Sequence, residues 1–325
     1  MQASATRGNI LSEVIGASPV IIFAVLLFYI SLNAPNFVTF INLKLILMQS
    51  LPVVLICIGL SAVVMAGGDD VVSGGIDLSI PATAVLCAGI IASTITTGTP
   101  LILAALYALI AAFVIGSVNA FLVTRIGMTP LLTSLSMSVA VVGINNMVTQ
   151  SRRINITNET ILDLRDGSFL GVPLGIWVVG LVVLICYHML HRTKWGLNLQ
   201  AVGGSRDAAE ISGLKTSRLI SHSFIMAALL GFVTSFFVLA RGSGSSPGVQ
   251  DNLMLEMVLA TFLGAAFSPR RVVTMWGAVL GAILVAAISI GFKSMGVNVF
   301  WTGLIKGSMI VVVVAMGAVS QRVQR

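Results

Sequence analysis

Ten stretches of this 325-residue chain are almost wholly apolar, at about 14–32, 43–65, 76–94, 100–123, 128–148, 173–190, 219–240, 253–267, 272–292 and 302–319. Most reach the about 20 apolar residues that a helix needs to cross a bilayer. They run on without the apolar-out, polar-in alternation of membrane-spanning strands. Composition agrees: 57% of residues are hydrophobic and 9% charged, against about 45–50% and about 25% in soluble domains. That leaves too little polar surface to cover a water-facing globule, and it excludes a disordered chain. A nucleic-acid binder is excluded too, because the net charge of +7 is spread over dispersed Lys and Arg with no basic run. The expected fold is an all-α integral membrane protein of about ten transmembrane helices, forming a single domain over residues 1–325.

Lys and Arg set the expected orientation. With ten crossings and the N-terminus inside, eleven of the 18 basic residues fall on the cytoplasmic side, among them Arg125, Arg192, Lys194, Arg206, Lys215 and Arg218. Both termini are then cytoplasmic. The first stretch reads as a retained helix, since it is long for a signal-peptide core and no small-x-small site follows it. Residues 253–267 are short and carry Glu256, which suits a tilted, broken or partly re-entrant segment.

Cys57, Cys87 and Cys186 sit singly in apolar runs and read as small core residues. His188 and His191 lie three apart at the end of an apolar stretch and read as interfacial residues, so no metal site is expected. The sequons at Asn155 and Asn158 lie in an external loop at about 149–172, which reads as a polar landing surface or a connector. Gly242-Ser243-Gly244-Ser245-Ser246-Pro247-Gly248 lacks the GK[ST] ending of a phosphate loop. No nucleotide motif occurs, and no catalytic constellation converges at one depth; the chain is not expected to be an enzyme or to hydrolyse ATP by itself.

Two places carry the functional expectation. The first is the cytoplasmic loop at about 191–218, where Arg206-Asp207-Ala208-Ala209-Glu210-Ile211-Ser212 reads as a short helix after the turn-prone Gly203-Gly204. Ser205 is its N-cap, Asp207 suits its first turn and Gly213 stops it. Such a helix either docks into a groove on a cytosolic partner or is a solvated connector. The second is the set of polar groups at span depth, each costing at least about 2.5–3.5 kcal/mol to insert when charged. Asp77 opens an apolar helix after a glycine-rich stretch, with Ser79 and Thr83 continuing a polar face. Asp69 and Asp70 just before it read as turn carboxylates. Glu256 and Lys306 either reach an interface or pair with each other across two helices, and Asn119 and Asn145 add buried amides. The GxxxG spacings Gly277–Gly281 and Gly303–Gly307 predict close helix packing.

Three segments in order resemble the membrane permeases of bacterial ABC sugar importers, the ribose and autoinducer-2 group. Ser73-Gly74-Gly75-Ile76-Asp77-Leu78-Ser79 is similar to their GGIDLS signature. Ala201-Val202-Gly203-Gly204-Ser205-Arg206-Asp207-Ala208-Ala209-Glu210-Ile211-Ser212-Gly213 resembles their AVGGN-x-x-AA-x-x-SGI loop, and Trp301-Thr302-Gly303-Leu304-Ile305-Lys306-Gly307 their final helix. The resemblance implies a multi-pass permease of the bacterial inner membrane. It further implies a second permease subunit, identical or not, a cytosolic ABC ATPase that binds the ATP, and a periplasmic solute-binding protein delivering a sugar-like solute. No cofactor of its own is implied.

Carried over, Gly203, Gly204, Ser205, Arg206, Asp207, Ala208, Ala209, Glu210 and Gly213 would couple to the ATPase. Asp77, Ser79, Asn119, Asn145, Glu256 and Lys306 are the candidates for the solute path or its gating. Departures bear mainly on the solute: Ile80-Pro81-Ala82 stands where relatives have VGS, and Glu256 where an Asp is common. The competing readings are an ion-coupled carrier using Asp77, Glu256 or Lys306, and an ABC permease for a non-sugar solute such as a nucleoside.

Overall fold

A computed structural model describes residues 20–68, 74–268 and 272–324. Asp69, Asp70 and Ser73 lie outside the described residues, as do Arg270 and Arg271. Each apolar stretch forms a helix: α1 (Val20–Asn33), α2 (Phe40–Gly67), α3 (Ile80–Thr96), α4 (Leu101–Phe121) and α5 (Pro130–Thr149). Beyond the short α6 (Glu159–Asp166) come α7 (Leu174–Arg192), α8 (Lys194–Gly204), α9 (Arg206–Ile211) and α10 (Thr216–Gly242). The last three are α11 (Val249–Ala265), α12 (Met275–Ser294) and α13 (Val299–Gln324). Among the described residues, α2, α4 with its π-helical continuation to Ile126, α5, α7, α10 and α12 are each long and apolar enough to cross a membrane. The apolar parts of α1, α3 and α13 are shorter.

The chain divides into two compact units, Leu51–Met254 and the pairing of Met1–Ser50 with Leu255–Arg325. In the first, α10 packs against α3 and α4, and α3 also packs against α5. Burial ranks the helices: the apolar window of α2 is 89% buried and that of α10 67%, whereas α4, α5 and α7 fall between 22% and 28%. The outer face of α4, with Ile102 and Phe113 exposed, is therefore an apolar surface suited to lipid. Close approach at the centre needs small residues. Gly116 of α4 leaves no room for a Cβ against Ala228 and Ile225 of α10, and Gly59 of α2 lies against Ala227.

The loop at about 149–172 is more than a connector. Strand β1 (Ile154–Asn155) pairs antiparallel with β4 (Gly244–Ser245), and β2 (Ser168–Phe169) with β3 (Val172–Pro173). Asn158 caps α6 by accepting from the Ile161 N–H at 3.3 Å. Arg153 donates to the Gly242 carbonyl at 2.6 Å and Arg165 to Ser243 Oγ at 2.8 Å, tying this loop to the end of α10.

In the second unit α11 and α12 touch backbone to backbone. Gly264 faces Gly277, and Gly281 faces Ala260, with no space for a side-chain carbon at any of the three glycines. The Gly277–Gly281 spacing thus does what its pattern predicts. Gly303 and Gly307 differ, since a Cβ at either meets nothing among the described residues.

Candidate functional site

Short helix α9 forms where the sequence pattern places it. Ser205 accepts from the Ala208 N–H at 3.3 Å, satisfying a donor that the first turn leaves free. Gly213 closes the helix at φ +82°, a conformation that favours glycine, with its N–H on the Glu210 carbonyl. Upstream, residues that read as a turn-prone approach are instead helix α8, capped by Thr193, whose Oγ1 accepts from Gly196 N–H at 3.3 Å. Its end at Gly203 lies against the Met65 carbonyl of α2, too close for any side chain there.

The polar residues of α9 divide by role. Glu210 Oε1 accepts from Thr216 Oγ1 at 2.6 Å and from Arg206 Nε at 3.1 Å, which fastens α9 to the first turn of α10. These bonds, the Thr216 hydroxyl foremost, hold the Glu210 carboxyl below its ordinary range. Asp207 and Ala208 are exposed, and Ala209 is buried. Ile211 is 88% exposed, the one large apolar side chain that this polar helix presents outward. Sequence reasoning passed over Ile211 and Thr216. Ile211 was legible as a lone apolar residue in a polar run, whereas Thr216 had no local signature.

At the start of α3, Asp77 is 1% exposed. Its Oδ1 accepts from Ser79 N–H at 2.9 Å and from Ser79 Oγ at 2.6 Å. Asn119 of α4 donates to Ser79 Oγ at 2.8 Å, and Ser134 of α5 donates to the Ile76 carbonyl at 3.3 Å. Three helices thus converge on one short polar turn. Asp77 Oδ2 and Asn119 Oδ1 find no partner among the described residues, so the network has spare accepting capacity. Asn145 of α5 stands apart from it, 3% exposed, with its side chain against Gly89 of α3 where a Cβ would not fit.

Lys306 and Glu256 meet directly, Nζ to Oε1 at 2.6 Å, joining α13 to α11 in the second unit. Both side chains are mostly buried, at 11% and 15% exposure. Of the two arrangements open in the sequence, the structure has the pair. The candidate path residues therefore form two groups, Asp77–Ser79–Asn119 and Glu256–Lys306, with Asn145 alone. His191 stacks on Tyr187 with ring centroids 5.0 Å apart, and the three cysteines are buried and unbridged.

Comparison with known proteins decides the family. The family described as the permease component of the branched-chain amino acid transport system matches residues 42–314. The chain belongs to this permease family. It is 29% identical over 311 residues to the L-arabinose ABC transporter permease protein AraH of Azospirillum brasilense, covering 95% of this chain and 89% of that one. Against the ribose import permease protein RbsC of Escherichia coli K12 it is 26% identical, covering 89% of each chain. The fructose import permease protein FrcC of Rhizobium meliloti is 27% identical over 76% of this chain and 71% of its own. No solved structure matches. The permease is thus an all-α, multi-pass membrane protein of the transport machinery.

Proposed function

We propose that this permease is the membrane subunit of an ABC importer that carries a monosaccharide into the bacterial cytoplasm. Ten hydrophobic segments cross the inner membrane with both termini inside, and residues 1–325 form one permease domain. It works beside a second permease subunit, with a cytosolic ATPase that binds and hydrolyses the ATP and a periplasmic binding protein that delivers the sugar. No enzyme chemistry or resident cofactor is assigned to this chain. The solute class rests on the arabinose, ribose and fructose permeases that resemble it along most of its length.

The observation that carries the coupling role is α9, a short capped helix with exposed Asp207, Ala208 and Ile211, fixed to α10 through Glu210. Its shape suits insertion into a groove on the ATPase, and the segment Gly203–Gly213 is the coupling element. ATP-driven closure of the ATPase pair shifts the population between outward- and inward-facing forms. Asp77, Ser79, Asn119, Asn145, Glu256 and Lys306 serve this change as buried polar joints in the path or its gate.

The test is reconstitution of the full chain with its ATPase and binding protein, with uptake of ribose, L-arabinose and fructose measured. ATP-dependent import that disappears on replacing 203–213 by a Gly-Ser linker is the expected result. ATP turnover indifferent to both the binding protein and the loop would overturn the reading. Import abolished by an ionophore with ATP intact would point to an ion-coupled carrier. One observation favours a different solute: the family's description names branched-chain amino acids. Leucine uptake in the same assay distinguishes the two.

A further inference from the structure

Two apolar helices begin within the Leu51–Met254 unit after glycine-rich breaks, and both are short. α3 follows Gly74-Gly75-Ile76-Asp77-Leu78-Ser79, and α11 follows Gly242-Ser243-Gly244-Ser245-Ser246-Pro247-Gly248; each is 17 residues long. At about 1.5 Å per residue, neither alone spans the about 30 Å hydrocarbon core. Non-helical backbone at such depth persists only where protein buries it or where it lines a cavity. The second condition is met here: the first turns of the two helices border one cavity of about 250 Å³ beside the middle of α5.

Its lining combines the apolar Leu78, Pro81 and Met254 and the exposed Leu135 and Val139 of α5 with the polar Ser138, Gln250 and Asp251. Gln250 is 92% buried by its 8% exposure, and its Oε1 has no partner among the described residues. A buried amide oxygen without a donor is costly, so a ligand carrying hydroxyl donors relieves it. Among the described residues, no Lys, Arg or His lines the cavity. The Asp251 carboxylate already sits in the first turn of α11, where it answers the positive end of that helix and repels an anion.

Resting on the sugar-importer reading, we infer that this cavity is the solute-holding site of the permease, selective for a small, neutral, polyhydroxylated molecule. Gln250 and Asp251 engage hydroxyls, Ser138 offers a third polar contact, and Leu78, Pro81 and Met254 cover the solute's C–H face. The volume lies just under the range of about 300–1,000 Å³ usual for small-molecule pockets, which limits the site to a single sugar ring. Solutes that carry a carboxylate or phosphate are excluded by charge.

The test uses the full transporter in proteoliposomes with radiolabelled ribose, L-arabinose, fructose and leucine. Gln250→Leu and Asp251→Asn are expected to lower sugar uptake at least tenfold while the ATPase still co-purifies. Ser138→Cys is expected to react with a small thiol reagent and to be protected by the transported sugar. The native Cys57, Cys87 and Cys186 are buried, which keeps the background low. Should a variant fail to assemble, the protection result decides. Wild-type sugar uptake with unaltered variants and no protection overturns the cavity and leaves the importer reading standing. Wild-type uptake of leucine alone, lost in the variants, overturns the solute class for both.

Discussion

Glu256 and Lys306 show what a buried charge pair asks of a membrane protein. Removing one partner strands the other, and in folded proteins this costs about 3–5 kcal/mol, whereas replacing both with apolar residues is often neutral. Glu256→Gln and Lys306→Met are each expected to lower thermal stability in detergent by several kcal/mol. The double variant should recover most of that loss, and additive losses would count against a pairing role.

Glu210 poses a smaller case at the surface. A glutamate held below its ordinary range contributes stability that is present above the unfolded value and lost as pH falls through the folded one. Glu210→Gln and Thr216→Val are therefore expected to speed hydrogen exchange over residues 206–216 several-fold at neutral pH. Acidification through the carboxylate range should lower the protection factors of the same amides in the wild type and leave those of Glu210→Gln unchanged. Ile211→Asp is expected to weaken ATPase co-purification at least tenfold without disturbing that exchange, since Ile211 faces outward. Equal recovery of the ATPase would remove Ile211 from the contact.

At the scale of elements, glycine separates packing that matters from packing that does not. Gly264→Val forces apart the backbones of α11 and α12, and overpacking of this kind costs about 1–3 kcal/mol or more. Gly303→Ala, which meets open space among the described residues, is expected to leave the melting temperature unchanged. The same contrast marks how far the sequence could be read. Helix positions followed from apolar runs, and α9 from Ser205, Asp207 and Gly213, because caps and periodicity are local. Helix α8 was missed because Gly203-Gly204, read as a turn, in fact ends a helix against α2. The Asp77–Ser79–Asn119 cluster and the Glu256–Lys306 bond join residues 40 and 50 positions apart. Residue types could suggest such partners, but only tertiary packing chooses among them. The cavity at Gln250 left no trace, since one Gln after Pro-Gly-Val resembles any loop residue.

For the whole molecule, the proposed topology makes a direct prediction. Ser151→Cys, in the exposed turn before β1, should label from outside intact cells with an impermeant maleimide. Ser212→Cys, exposed after α9, should label only once cells are opened. Reversal of the two would invert the arrangement and remove α9 from the cytosol. The β1–β4 pairing and the bonds from Arg153 and Arg165 then fall outside, at the far end of the α10 helix from Glu210 and Thr216. A single 27-residue helix thus links the ATPase-facing corner to the external loop.

The unit that joins Met1–Ser50 to Leu255–Arg325 is interrupted by everything between them, and this bears on how the protein is made. The ribosome releases Glu256 fifty residues before Lys306, so an unneutralised acid waits at the translocon until the last helix arrives. A chain cut short after α12 should be retained by insertion factors or destroyed by membrane proteases. Supplying α13 as a separate fragment should rescue it.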